Sequence, residues 1–162
     1  APSPASGAER TVIEYRNDAL DHYFVTAEPA EAAMLDAGIV VPGWKRTGFE
    51  FKAWSPASPH DLPTCRFFGT PGQGPNSHFY TIDPEECAKV RRNPDWTFEE
   101  LAFSAALPQA ESCAADRMTV TRLYNDGQGG QANHRYLTSR SESAALREQG
   151  WIVEGAVFCT LP

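Results

Sequence analysis

Short runs rich in β-branched and aromatic residues, broken by turn residues, recur along this chain. Thr11-Val12-Ile13-Glu14-Tyr15 predicts a strand that ends at the turn pair Asn17-Asp18, and His22-Tyr23-Phe24-Val25-Thr26 predicts its return. A short helix then begins near Glu28, with Pro29 in its first turn and Gly38 placed to stop it, and Trp44 to Trp54 comes back as a strand. The order is written again from Thr64-Cys65-Arg66-Phe67-Phe68, through His78-Phe79-Tyr80-Thr81, to a helix opened by Asp83, Pro84 and Glu86, a capping box. It is written a third time from Val120-Thr121-Arg122-Leu123-Tyr124, through His134-Arg135-Tyr136-Leu137-Thr138, to the capping box Ser139-x-x-Glu142 and a helix from Ser141 to Gln149 stopped by Gly150.

The interval between His22 and His78 is 56 residues, and that between His78 and His134 is 56 again. Trp44, Trp96 and Trp151 are each followed seven residues later by a phenylalanine: Phe51, Phe103 and Phe158. A fixed period of this size marks an internally repeated architecture. The expectation is a β-rich α+β fold of three pseudo-symmetric ββαβ repeats, at about 11–57, 63–107 and 118–160. No single unit could bury its aromatics, so the three are expected to close into a small ring, propeller-like or trefoil-like. Residues 1–10 are polar and proline-rich and read as a flexible lead-in to one domain spanning 11–162.

Composition narrows the partners. Lys and Arg number 14 against 21 Asp and Glu, a formal charge of −7 that repels a phosphate backbone, so nucleic acid is not an expected partner. No apolar run is long enough to span a bilayer, so membrane insertion is not expected. The opening Ala1-Pro2-Ser3-Pro4-Ala5-Ser6-Gly7-Ala8 has the small-residue look of a chain trimmed after export. Cys65, Cys87, Cys113 and Cys159 lack paired metal spacing, so two disulfides in a secreted, periplasmic or cell-surface protein are expected rather than zinc. Three pairings are open. Position in the repeats favours Cys65 with Cys87, and Cys113 with Cys159.

Several features of this pattern, His78-Phe79-Tyr80-Thr81 and Gly150-Trp151-Ile152-Val153-Glu154-Gly155-Ala156-Val157-Phe158 above all, resemble a bacterial family of repeats of unknown function. Those repeats read Y-R-F-Y-N, H-F-Y-T, helix, G-W, E-G-x-A-F, and the likeness runs from about residue 11 to the end. The first unit departs from it by a short turn and the insertion Gly38 to Gly43, the third by Arg135 where an aromatic is usual. The resemblance implies a module of exported proteins, sometimes attached to hydrolases acting on polymers, and no activity.

His22, His78 and His134, at equal spacing, invite the reading of three imidazoles on one metal. The plainer reading, which we favour, is three structural histidines, and no cofactor is expected. Trp44, Trp96 and Trp151 with Tyr23, Tyr80 and Tyr136 are core first, yet aromatic faces beside polar groups also hold sugar rings. Trp54 lies outside the repeated positions and is the candidate exposed aromatic. Gln73, Asn76, Gln128 and Asn133, on the long turns, are candidate polar contacts alongside Tyr80 and Tyr136. The glycine-rich turns Gly72-Gln73-Gly74 and Gly127-Gln128-Gly129-Gly130 lie between strands and open no helix, so they read as turns and not as phosphate cradles. No Gly-x-Ser-x-Gly elbow appears. Paired acids such as Glu85 with Glu86 and Glu99 with Glu100 point different ways from one element. The expected function is a non-catalytic binding module for carbohydrate or cell-envelope polymer. A protein-protein, inhibitor or adhesion module is the alternative, and a metal-dependent hydrolase on the three histidines is third.

Overall fold

The computed structural model describes residues 7–162. Three passes of strand, strand, helix, strand make it up: β1 (Glu9–Asn17), β2 (His22–Thr26), α1 (Pro29–Ala37), β3 (Trp44–Trp54); β4 (Leu62–Gly69), β5 (His78–Thr81), α2 (Pro84–Arg91), β6 (Trp96–Ala105); β7 (Met118–Tyr124), β8 (His134–Leu137), α3 (Arg140–Glu148), β9 (Ile152–Thr160). In each pass the first strand lies between the other two, all antiparallel. The fold is thus β-rich with a minority of helix, a six-stranded sheet that curls as a half-barrel beside a three-stranded one. Residues 1–6 of the lead-in expected at 1–10 lie outside the described residues, and the first strand already begins at Glu9.

The six-stranded sheet is two three-stranded units held by one pair, Trp54 with Ser104. Two further bridges join the ends of the closing strands, Ala106 to Cys159 and Lys52 to Leu161. The ends of β3, β6 and β9 therefore meet one another in turn. Where they meet, Phe51, Phe103 and Phe158 pack ring against ring, with centroids 5.7, 6.4 and 5.3 Å apart. These three rings sit in the main core with Val12, Val120, Tyr80 and Tyr136, so residues from all three passes share it. Edge-to-face aromatic packing of this kind adds to the area buried.

Local chemistry sets the details. Gly38, at a left-handed φ of 69°, caps α1 with its N–H on Leu35 O. Gly74 must be glycine because a Cβ there would lie 1.9 Å from Asp95 O, which is turn chemistry and no phosphate cradle. The disulfides are Cys65–Cys87, tying α2 to β4, and Cys113–Cys159, tying the linker before β7 to β9; this is the pairing favoured by position in the chain. Among the described residues no helix is long and apolar enough to cross a membrane.

Phe103 touches both other core phenylalanines and is fully buried. Phe103→Ala is expected to cost about 3–5 kcal/mol in urea unfolding, with the cavity opened where the three passes meet; a loss below about 1 kcal/mol would show that this core is not shared.

Candidate functional site

The charged side chains that the sequence does not flag form the most organised part of the molecule. Arg66 on β4 lies over the Phe24 ring of β2, 5.1 Å from its centroid, and binds Glu31 of α1 at 2.9 Å and Glu99 of β6 at 3.1 Å. Arg122 on β7 lies over Phe79 of β5 at 4.8 Å and binds Glu86 of α2 at 3.2 Å and Glu154 of β9 at 2.9 Å. The arrangement is the same: a cation from the first strand of one pass, the ring and the helix acid of the pass before, and an acid from its own closing strand.

At the third such place the roles are exchanged. Glu14 of β1 stands where Arg66 and Arg122 stand, and Arg135 of β8 stands where Phe24 and Phe79 do. Arg135 donates to both Glu14 oxygens, at 2.7 and 3.0 Å, and to Glu142 of α3 at 3.1 Å; Glu14 also accepts from Thr47 of β3 at 2.8 Å. Both partners are nearly inaccessible, 2% for Glu14 and 4% for Arg135. A two-pronged guanidinium–carboxylate pair suits such burial, because it satisfies the donors that desolvation would otherwise leave costly.

The capping boxes are only half formed, and these networks explain why. Asp83 caps α2 by accepting from Glu85 N and Glu86 N, and Ser139 accepts from Glu142 N. The carboxylates of Glu86 and Glu142, expected to reach back to the cap, instead hold arginines: Glu86 holds Arg122 of the next pass, and Glu142 holds Arg135 of its own pass, whose other donors reach Glu14 of the first.

The three histidines do not occupy equivalent places. His22 lies six residues ahead of its cap residue Glu28, whereas His78 and His134 lie five ahead of Asp83 and Ser139. His22 pairs with Asn17 at the last rung of its hairpin, and Tyr23 takes the position of His78 and His134. The short β1–β2 turn shifts the register by one residue, which an interval of 56 conceals.

His22 and His78 nevertheless touch, Nε2 to Nδ1 at 2.8 Å with rings stacked. His78 Nε2 lies 3.0 Å from Glu99 Oε1. Burial works to raise the Glu99 carboxyl, but His78 and Arg66 outweigh it and hold it below the usual range. Glu99 is then the acceptor, so His78 carries its proton on Nε2 and its Nδ1 accepts from His22 Nε2–H. Burial, with His78 beside it, pushes His22 down to about 3, and burial also lowers His78 despite Glu99. His134 approaches Glu154 at 3.5 Å, its Nδ1 is buried without a partner, and burial beside Arg122 pushes it down to about 3. These are neutral, load-sharing imidazoles. Among the described residues no group of three His, Cys, Asp or Glu side chains could hold a metal.

The candidate ligand residues are dispersed. Tyr80 and Tyr136 are buried, Tyr80 OH donating to Val25 O at 2.6 Å and Tyr136 OH accepting from Tyr80 N at 2.8 Å. Asn133 is buried too, donating to Asp21 O at 2.7 Å and accepting from Tyr23 N at 3.1 Å. Trp54 is half-buried, its ring packed at a tilt against His60 with centroids 4.7 Å apart and its Nε1 buried without a partner. Trp44, Trp96 and Trp151 are half-buried against the cores. Asn76 is half-buried; Gln73 and Gln128 are exposed, on different turns, with Gln73 donating to Asp95.

Several clefts are open to a ligand: one of about 340 Å³ lies between β1 and α1, and a larger one of about 530 Å³ lies beside Cys113–Cys159, lined by Leu107, Gln109 and Arg117. Ile13, Ala27 and Ala32 line the first with apolar surface, and Thr11, Glu28 and the Asp36–Arg46 ion pair with polar groups. In the second pass the corresponding place, about 270 Å³, is floored by the Cys65–Cys87 disulfide and lined by Leu62, Ile82, Pro84 and Leu101. The same groove is polar-sided in one pass and apolar in the other.

The chain belongs to the family described as a domain of unknown function (DUF5648), which residues 10–161 match. No curated protein matches it, and no solved structure does.

The lowered histidines fix a pH dependence. Between about pH 3 and the ordinary value of 6.5 the unfolded chain takes up protons at His22 and His134 that the folded chain refuses, so stability is full above 6.5 and falls as the solution is acidified. At pH 5 each costs up to about 2 kcal/mol. His134→Phe is expected to flatten the loss between pH 7.5 and 5 in urea unfolding; an unchanged slope would contradict the assignment.

Proposed function

We propose that the chain is three copies of one ββαβ unit closed into a pseudo-threefold ring, and that this ring is an exported, non-catalytic binding module for a cell-envelope polymer. Supporting the ring are the meeting ends of the closing strands, the three core phenylalanines, and the charged networks that recur from pass to pass. Two disulfides accord with an oxidising compartment.

The observation that carries the binding reading is the cleft between β1 and α1. Its apolar floor of Ile13, Ala27 and Ala32 lies beside the polar side chains of Thr11, Glu28 and the Asp36–Arg46 ion pair. That combination orients a polar unit with an apolar face, such as a sugar or a short peptide branch of an envelope polymer. No tryptophan lines this cleft, so a ligand held there is oriented by its aliphatic and polar side chains. A protein-binding reading is favoured by a separate observation, the exposed aliphatic loop Ile39–Val41.

The test is retention on insoluble peptidoglycan, chitin and cellulose. Ala33 is exposed and lines the cleft, and Ala33→Trp fills it. Wild-type protein is expected to be retained on one of these polymers and released by its soluble fragments, and Ala33→Trp to lose at least about tenfold in retention. No retention on any of them, or retention indifferent to Ala33→Trp, would overturn the reading.

A further inference from the structure

The linker from the second pass to the third is an arm clamped at its two ends. At one end Ala106 N–H donates to Cys159 O at 2.9 Å and Ala106 O accepts from Cys159 N at 2.8 Å; at the other, Arg117 donates to both Asp61 oxygens, at 2.8 and 3.2 Å, and to Cys159 O at 3.4 Å. Between the clamps, among the described residues, every hydrogen bond stays inside the arm. Gln109 and Ser112 bond each other through their backbones, Ser112 Oγ donates to Gln109 O at 3.1 Å, and Arg117 N donates to Ala114 O at 3.0 Å. The turn between Gln109 and Ser112 runs through Ala110 and Glu111, at φ of 50° and 63°, two successive left-handed residues in a place that suits asparagine and glycine. Cys113 Sγ comes 3.7 Å from Phe158 O, but a disulfide sulfur has no proton to donate. One covalent bond, Cys113–Cys159, therefore ties the middle of a strained and largely exposed arm to the body.

The two disulfides differ in access and in what else holds their ends. Cys65, Cys87 and Cys159 expose 6, 7 and 3% of their surface, whereas Cys113 is only half-buried and lines the open cleft of about 530 Å³. Cys65 is paired across the sheet on both sides, to Thr81 and to Leu101, and packs with Cys87, Phe67 and Phe79, so the sheet and the core also hold what that bridge holds. Cys113 has no such support. The arm also bounds a cleft of about 200 Å³ at the joint between the second and third passes, where its Leu107, Pro108 and Glu111 meet Ile82 and Asp83 of the second pass and Val157 of the third.

We propose that Cys113–Cys159 is a reducible latch: a dithiol reductant opens it ahead of Cys65–Cys87, and the released arm swings on its two clamps to uncover the joint between the second and third passes. One thiolate of the reductant attacks the accessible Cys113 Sγ, the S–S bond breaks, and Cys159 leaves as a thiolate that takes up a proton. The second thiol of the reductant then displaces Cys113 from the mixed disulfide, so the protein gains two thiols and the reductant becomes its own disulfide. With the bond gone, Ala110 and Glu111 relax from their left-handed conformations, which favours the open arm. The proposal is independent of the polymer reading, which uses the cleft between β1 and α1, and its test contains no polymer.

Partial reduction with dithiothreitol, quenched by iodoacetamide and mapped by peptide mass, is the first measurement. The earliest species with two thiols is expected to carry label on Cys113 and Cys159 with Cys65–Cys87 intact. Label on Cys65 and Cys87 first, or on all four cysteines together, overturns the proposal. The second measurement is cleavage after Glu111 by a glutamate-specific protease. Its rate is expected to rise at least about tenfold once the latch is reduced, and equally without reductant when Cys113→Ser and Cys159→Ser are combined. Cleavage at Glu99 and Glu154, which lie in β6 and β9, is expected to stay slow, and combining Cys65→Ser with Cys87→Ser to leave the Glu111 rate within about twofold. An unchanged rate at Glu111 would show that the arm stays shut, and a rise at Glu99 and Glu154 alongside it would show that the whole chain has opened; either result refutes the latch.

Discussion

The arrangement depends on how each pass is joined to the next. Arg66 and Arg122 each cover a ring of the preceding pass and gather a helix acid and a strand acid, so burial of the guanidinium is compensated on several sides. The first and second joints have chain running through them. The third, between the last pass and the first, has none, and its groups are 121 residues apart in sequence. Closing that distance costs chain entropy that only contacts at the joint can offset. It is there that the pattern changes: Glu14 replaces the arginine and Arg135 the ring. The exchange also makes this joint chemically unlike the others, so the first strand has one correct partner. In the proposed ring, Glu14–Arg135 is the clasp.

The histidines belong to the same system. His78 links Glu99 to His22 and so extends the Arg66 network across the first joint, while His134 approaches Glu154 beside Arg122 with a ring nitrogen left unpaired. Tyr23 takes the third place, under Arg135 at 4.5 Å. Neutral imidazoles buried beside arginines are a source of acid sensitivity.

Much of the fold was legible in the residues. The strand, strand, helix, strand order followed from β-branched runs, caps such as Asp83 and Ser139, and stops such as Gly38, because these act locally. The disulfides were legible by position, since a cysteine at the start of β4 and one on α2 share a pass. The register of the first hairpin was not: the interval from His22 to His78 counts residues through a turn whose length is set by backbone geometry, so equal spacing disguised unequal places. Arg135 was noticed only as a misfit, because its partner Glu14 is remote in sequence. The candidate ligand residues Asn133, Tyr80 and Tyr136 satisfy their polar atoms inside the protein, a fate that residue type does not reveal.

The most direct measurement is a double-mutant cycle at the clasp by urea unfolding, with Glu14→Leu and Arg135→Phe, the latter restoring the residue found at positions 24 and 79. Glu14→Leu leaves the buried Arg135 with Glu142 alone, and Arg135→Phe leaves the buried Glu14 with only the Thr47 hydroxyl; each is predicted to cost about 3–5 kcal/mol, whereas the double change removes both charges and recovers at least about 2 kcal/mol of the summed loss. Additive single losses, or singles within about 1 kcal/mol of the wild type, would show that Glu14 and Arg135 do not hold the first pass to the last.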